Sequence, residues 1–137
     1  MSQYVSAILR VAVSTRAGGC CEYCLLHEDE AMLCHEPDHV IARKHGGQTD
    51  ADNLALACFL CNRFKGSDIA STDPQSGEIV RLYNPRKDQW TTHFKVDGGR
   101  IEPLTAEARA TASLLQFNTV ENVQMRASLA AAGRYPR

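Results

Sequence analysis

The chain has 137 residues, 44% of them apolar and 23% charged, the balance of a globular protein organised as one domain, 1–137, with a buried core. Its formal net charge is −1, so no global field attracts nucleic acid, and any grip on phosphates must come from a local patch. No apolar run approaches the roughly 20 residues of a bilayer span and no secretory signal is visible, which argues against a membrane partner and sets the expected location in the cytoplasm.

Taken in chain order, the first segment (1–19) reads as an amphipathic helix. Val5, Ile8, Leu9, Ala12 and Val13 repeat at helical period as one apolar stripe. Gly18-Gly19 ends it. The second segment (20–66) begins with Cys21-x-x-Cys24, passes an acidic turn at Glu28–Glu30, and extends from Ala31 toward Asp38-His39 as a short strand. A polar loop around Gly46-Gly47 leads to a half-buried strand, Leu54-Ala55-Leu56-Ala57-Cys58. A short helix follows and stops at Gly66.

The third segment (67–104) opens with a Ser-, Thr-, Asp- and Pro-rich loop at 67–76. Strands are predicted over Ile79–Tyr83 and Trp90–Val96, and Asp97-Gly98-Gly99 signals a hairpin into Arg100-Ile101-Glu102. Two helices fill 105–137. Thr105 caps the first, Asn118 caps the second with Glu121 as capping-box partner, and Gly133 closes it. Leu114, Leu115, Val123 and Leu129 suit packing on the core or on a second subunit. The fold class is therefore α+β.

With six cysteines and no export signal, metal binding is favoured over a disulfide framework. Cys21-x-x-Cys24 and Cys58-x-x-Cys61 each carry zinc-knuckle spacing, and four thiolates close a tetrahedral site with no open position. Such a zinc is structural and contributes folding energy directly. Buried unliganded cysteines or redox pairs are the competing reading. Cys20 is an alternative to Cys21, and Cys34 is read as a small buried hydrophobe.

Asp38, His39, Asn53 and Asn62 form the second constellation. Phosphodiester hydrolysis needs an activated water, a cation on the phosphate and help for the leaving oxygen. His39 suits the general base, because imidazole titrates near neutral pH. Asp38 and Asn62 offer hard oxygen ligands, which favour Mg²⁺ or Mn²⁺ over zinc. Asn53 is placed to hydrogen-bond across the loop and hold His39.

These residues in this order, CEYC at 21–24 and DHVIARKHGGQTDADNLALACFLCNRFKG at 38–66, resemble the HNH endonuclease motif of the four-cysteine zinc type. The resemblance implies a ββα-metal core, with Cys21, Cys24, Cys58 and Cys61 on structural zinc. It further implies His39 as general base, Asp38 and Asn62 on the catalytic metal, and Asn53 as the residue that orders the loop. Asn62 stands where the name-giving pattern has His, and Ala42 where similar motifs often carry Pro. The tail is similar to that of small stand-alone bacterial members.

Arg43, Lys44, Arg63 and Lys65 flank this site and are the candidate phosphate contacts. Arg81, Arg86 and Lys87 beside Tyr83 and Trp90 could form a further nucleic-acid platform, although core packing suits the aromatics better, and His93 reads as structural. The implied activity is DNA cleavage, with double-stranded DNA as the expected partner and a homodimer or a larger nuclease complex as the expected assembly. The alternative is a zinc-stabilised nucleic-acid-binding or structural subunit without its own catalysis.

Overall fold

The computed structural model describes residues 4–137, so the first three residues of the expected domain lie outside the described residues. Helix α1 (Ala7–Arg16) starts at Ser6, whose hydroxyl accepts from the Leu9 amide. Its buried stripe is narrower than the sequence suggests. Val5, Leu9 and Val13 pack on the core, but Ile8 and Ala12 face outward, because only the i, i+4, i+8 ridge meets the sheet below.

That sheet is an antiparallel pair, β1 (Glu36–His39) with β2 (Leu54–Ala57), in which Asp38 faces Ala55 and His39 faces Leu54. Strand β1 is shorter than expected and begins only at Glu36. All four residues of β2 are buried. The half-buried reading fails because α1 covers Leu54 and Leu56, while the main core takes Ala55 and Ala57. Helix α2 (Phe59–Lys65) follows directly, capped by Cys58. Together, β1, β2 and α2 make the strand–loop–strand–helix unit.

The stretch 67–76 contains a strand, β3 (Ala70–Thr72), paired with β4 (Ile79–Arg81). Residues 90–96 also differ from expectation. Trp90–His93 is a helical turn, α3, and only β5 (Phe94–Asp97) is strand, paired with β6 (Arg100–Pro103). The turn buries His93, whose Nδ1 meets the Thr105 hydroxyl at 2.6 Å. Two helices complete the chain, α4 (Ala106–Leu114), capped by Thr105, and α5 (Val120–Ala131). The α5 cap is Thr119, not Asn118. Asn118 is occupied elsewhere, accepting from the Ile101 amide and donating to the Ile101 carbonyl.

Helix α5 lies tightly on the β5–β6 turn. A Cβ at Gly99 would stand 2.0 Å from the Val123 carbonyl oxygen, so glycine is required there. The main core gathers Tyr23, Tyr83, Phe94, Ile101, Leu115 and Phe117 with both Cys pairs. Phe94 stacks with Trp90, Tyr83 and Phe117 at 5.1–5.7 Å between ring centroids. This places the aromatics of the candidate nucleic-acid platform in the core. The basic residues beside them are ion-paired, Arg81 with Asp88 and Arg86 with Glu22. No helix among the described residues is long and apolar enough to cross a membrane.

Candidate functional site: a four-cysteine cluster and an adjoining cleft

Cys21 and Cys24 lie on the turn after α1, and Cys58 and Cys61 on the first turn of α2. All four are buried, and their sulfurs lie within 4.8 Å of one another. A regular tetrahedron of about 2.3 Å Zn–S bonds sets its sulfurs about 3.8 Å apart; the Cys24 and Cys58 sulfurs stand 3.8 Å apart. Each pair also has the N–H···S bond of a knuckle, Cys24 amide to Cys21 sulfur at 3.5 Å and Cys61 amide to Cys58 sulfur at 3.4 Å. Leu25 takes a left-handed backbone (φ 68°) to close the first turn. The donor set and spacing fit zinc.

Cys20 lies outside the cluster, against the Arg137 carbonyl. Cys34 is exposed rather than buried, because it sits in the open segment ahead of β1.

The second constellation gathers at the other face of the same unit. Asp38, His39 and Asn62 line one cleft of about 350 Å³ together with Arg10, Glu36 and Ser67. The Asn62 carboxamide makes no hydrogen bond among the described residues, so its oxygen is uncommitted. Asp38 is only 4% exposed and accepts from the Tyr23 hydroxyl at 2.7 Å. Burial pushes its carboxyl up, while Lys65 and Tyr23 oppose that shift.

Lys65 is 2% exposed, with its ammonium 3.2 Å from Asp38 Oδ2 and 3.0 Å from the His39 carbonyl oxygen. This corrects its reading as a nucleic-acid contact. The last turn of α2 points inward, so the charge serves β1 instead of a phosphate. Arg63 and Lys44 remain exposed, and Arg43 donates to the Thr49 hydroxyl at 3.1 Å.

His39 Nε2 also meets Thr49 Oγ1, at 2.8 Å. Burial pushes the imidazole pKa down; Arg43 and Lys65 push the same way, and Asp38 opposes them. The ring is therefore neutral, with a lone pair available, at physiological pH.

Asn53 spans the loop between β1 and β2. Its Oδ1 accepts from the Ile41 amide at 2.9 Å, and its Nδ2 donates to the Ile41 and Gln48 carbonyls at 2.9 and 2.8 Å. Gly47 fits beneath it, where a Cβ would lie 1.7 Å from the Ile41 oxygen.

Sequence reasoning missed Tyr23, Thr49, Arg10 and Glu36. Tyr23 sits between two knuckle cysteines and reads as a spacer. Arg10, on the amphipathic first helix, reaches the cleft rim and pairs with Glu36 at 2.9 Å. No local pattern marks such residues, because each meets the site only through tertiary packing.

No curated protein and no solved structure matches the chain. The family model described as HNH endonuclease matches residues 21–68, the span that runs from the first knuckle cysteine through α2. That stretch, roughly a third of the chain, is similar to the HNH endonuclease family, and it contains all four of the clustered cysteines.

Proposed function

We propose that the chain hydrolyses phosphodiester bonds in DNA at the Asp38–His39–Asn62 cleft. The observation that carries this reading is the meeting of a neutral imidazole, a carboxylate and an uncommitted carboxamide in one solvent-open cleft. Asp38 and Asn62 are the protein ligands for Mg²⁺ or Mn²⁺, and their all-oxygen donor set suits a hard cation. Bound there, that cation supplies positive charge to the scissile phosphate and to the leaving 3′ oxygen.

His39 takes the proton from the attacking water. Thr49, on the ring Nε2, fixes the imidazole orientation, and Asn53 holds the loop that carries Thr49. Arg10, Arg43, Lys44 and Arg63 supply local positive charge that the near-neutral chain lacks as a whole. Double-stranded DNA is the substrate we favour.

One observation favours the non-catalytic alternative. Lys65 already places a cation against Asp38. A carboxylate offers about four lone-pair sites, however, and Tyr23 and Lys65 leave room for a further ligand. Plasmid nicking in Mg²⁺ or Mn²⁺ tests the proposal. We expect His39→Ala to lose about 10²–10⁴ of the wild-type rate, the usual worth of a general base. Equal nicking by both proteins removes His39 from the chemistry.

A further inference from the structure

Arg126, in the middle of α5, is among the largest fully buried side chains, at 2% exposed. It forms no ion pair with a carboxylate among the described residues. Its guanidinium instead donates to neutral oxygens: Nε to the Gly99 carbonyl at 2.8 Å, and Nη2 to the Phe117 carbonyl and Asn118 Oδ1. Carbonyls satisfy the hydrogen bonds but not the charge, and a buried cation is costly without an anion nearby.

The missing anion lies next to it. Arg126 lines one small cavity, about 30 Å³, with Cys24, Cys58 and Cys61. One zinc and four thiolates carry a net charge of about −2, a buried anion that itself needs positive charge close by. The guanidinium carbon also stands 6.0 Å from the Tyr135 ring centroid, and the Tyr135 hydroxyl donates to the Cys24 carbonyl at 2.7 Å. On either side of Tyr135, Arg134 pairs with Glu30, and Arg137 with Asp29 and Glu30, tying the tail to the turn that follows the first knuckle.

We propose that Arg126 is the counter-charge of the four-cysteine zinc centre, and that α5 with the tail through Arg137 forms the outer enclosure of that centre. This rests on the zinc reading of the four cysteines. The C-terminal helix is thereby part of the metal site and not a neutral brace. Outer-shell partners of this kind commonly tune metal affinity about 10–100-fold.

The test measures zinc loss from the full-length chain to a metallochromic chelator, after zinc content has been determined for each protein. Wild type should hold one zinc in the four-cysteine site. Arg126→Met should release it about tenfold faster or more, while Arg126→Lys, which keeps the charge but loses the planar fork, should stay close to wild type. Equal release by wild type and Arg126→Met overturns the proposal. So does Arg126→Lys releasing as fast as Arg126→Met, since hydrogen bonds to Gly99 and Phe117 would then be the agent. A wild-type chain without zinc sinks the zinc reading itself and the proposal with it. If Arg126→Met does not fold in excess zinc, Arg126→Gln takes its place with the same expectations.

Discussion

Asn53 replaces several backbone contacts with one carboxamide. It holds both polar groups of Ile41 and the Gln48 carbonyl, and it does so at the point where the chain turns from β1 toward β2. Removing it leaves three backbone groups to find water or stay unpaired. Asn53→Ala should cost about 2 kcal/mol in urea unfolding, and nicking should fall with it, because the same loop carries Thr49. His39 makes a pH prediction. Its folded pKa is pushed below the ordinary 6.5 by burial first, so the free base is fully populated at neutral pH. The nicking rate should rise as pH climbs through that depressed value and be flat above about 6.5. A rate still climbing between pH 7 and 8 would show a different group titrating.

At this scale residue order and chemical type mark residues that the fold brings together: the four cysteines cluster, and Asp38, His39 and Asn62 line one cleft. Their partners were not legible. Tyr23 and Lys65 lie 15 and 27 positions from Asp38, and nothing local in the sequence marks contacts of that range. Lys65 was misread for this reason. A lysine at the end of an exposed-looking helix carries no sign that its turn faces the core.

The elements that depart from expectation are β3, the turn at Trp90–His93 and the cap of α5. Strand β4 lies inside the expected Ile79–Tyr83 strand, but its partner β3 is only three residues, Ala-Ser-Thr, too short and too polar for alternation to show. An ion pair, not apolar burial, fixes the hairpin to α4: Asp73, fully buried in its turn, receives two bonds of 2.9 Å from Arg109. The Arg109 guanidinium holds the Asp73 carboxyl well below the usual carboxylate range. As pH falls below the unfolded value of about 3.8, the unfolded chain takes up a proton that the folded chain refuses, so this stabilisation is present above that pH and is lost below it. Asp73→Asn should lower the urea midpoint at pH 6, and the gap to wild type should narrow as pH drops below about 4. A gap independent of pH would place the effect in packing and not in charge.

Trp90–His93 and Asn118 show the same competition between local propensity and tertiary demand. The Trp90 indole reaches the Tyr23 carbonyl at 2.8 Å from a helical turn, and Asn118 is claimed by Ile101, leaving Thr119 to cap α5. The elements with strong local signals, α1, α2, α4 and the β5–β6 turn, were legible in position and type.

Across the molecule, the two Cys-x-x-Cys turns meet where the segment after α1 also bonds to β2, through Glu22 and Leu56. The core around Tyr23 and Phe94 includes all four cysteines, so a zinc held by them would be bonded into the same cluster that carries the packing. Chelating zinc at neutral pH should therefore abolish the cooperative thermal transition, with near-ultraviolet circular dichroism lost and regained on adding zinc back. On the proposed reading the labour is divided: the four cysteines, packed into the aromatic core, would hold zinc, and the oxygen donors lining the cleft would hold a hard cation.

That division is tested most directly by titrating Mn²⁺ into zinc-loaded protein by calorimetry, with zinc content measured in parallel. Wild type should hold one zinc and bind one Mn²⁺, and Asn62→Ala should lose the Mn²⁺ site while keeping the zinc. A wild-type chain that takes up no second ion, or an Asn62→Ala chain that binds Mn²⁺ as well as wild type does, would contradict the assignment of the cleft as a metal-dependent hydrolytic site.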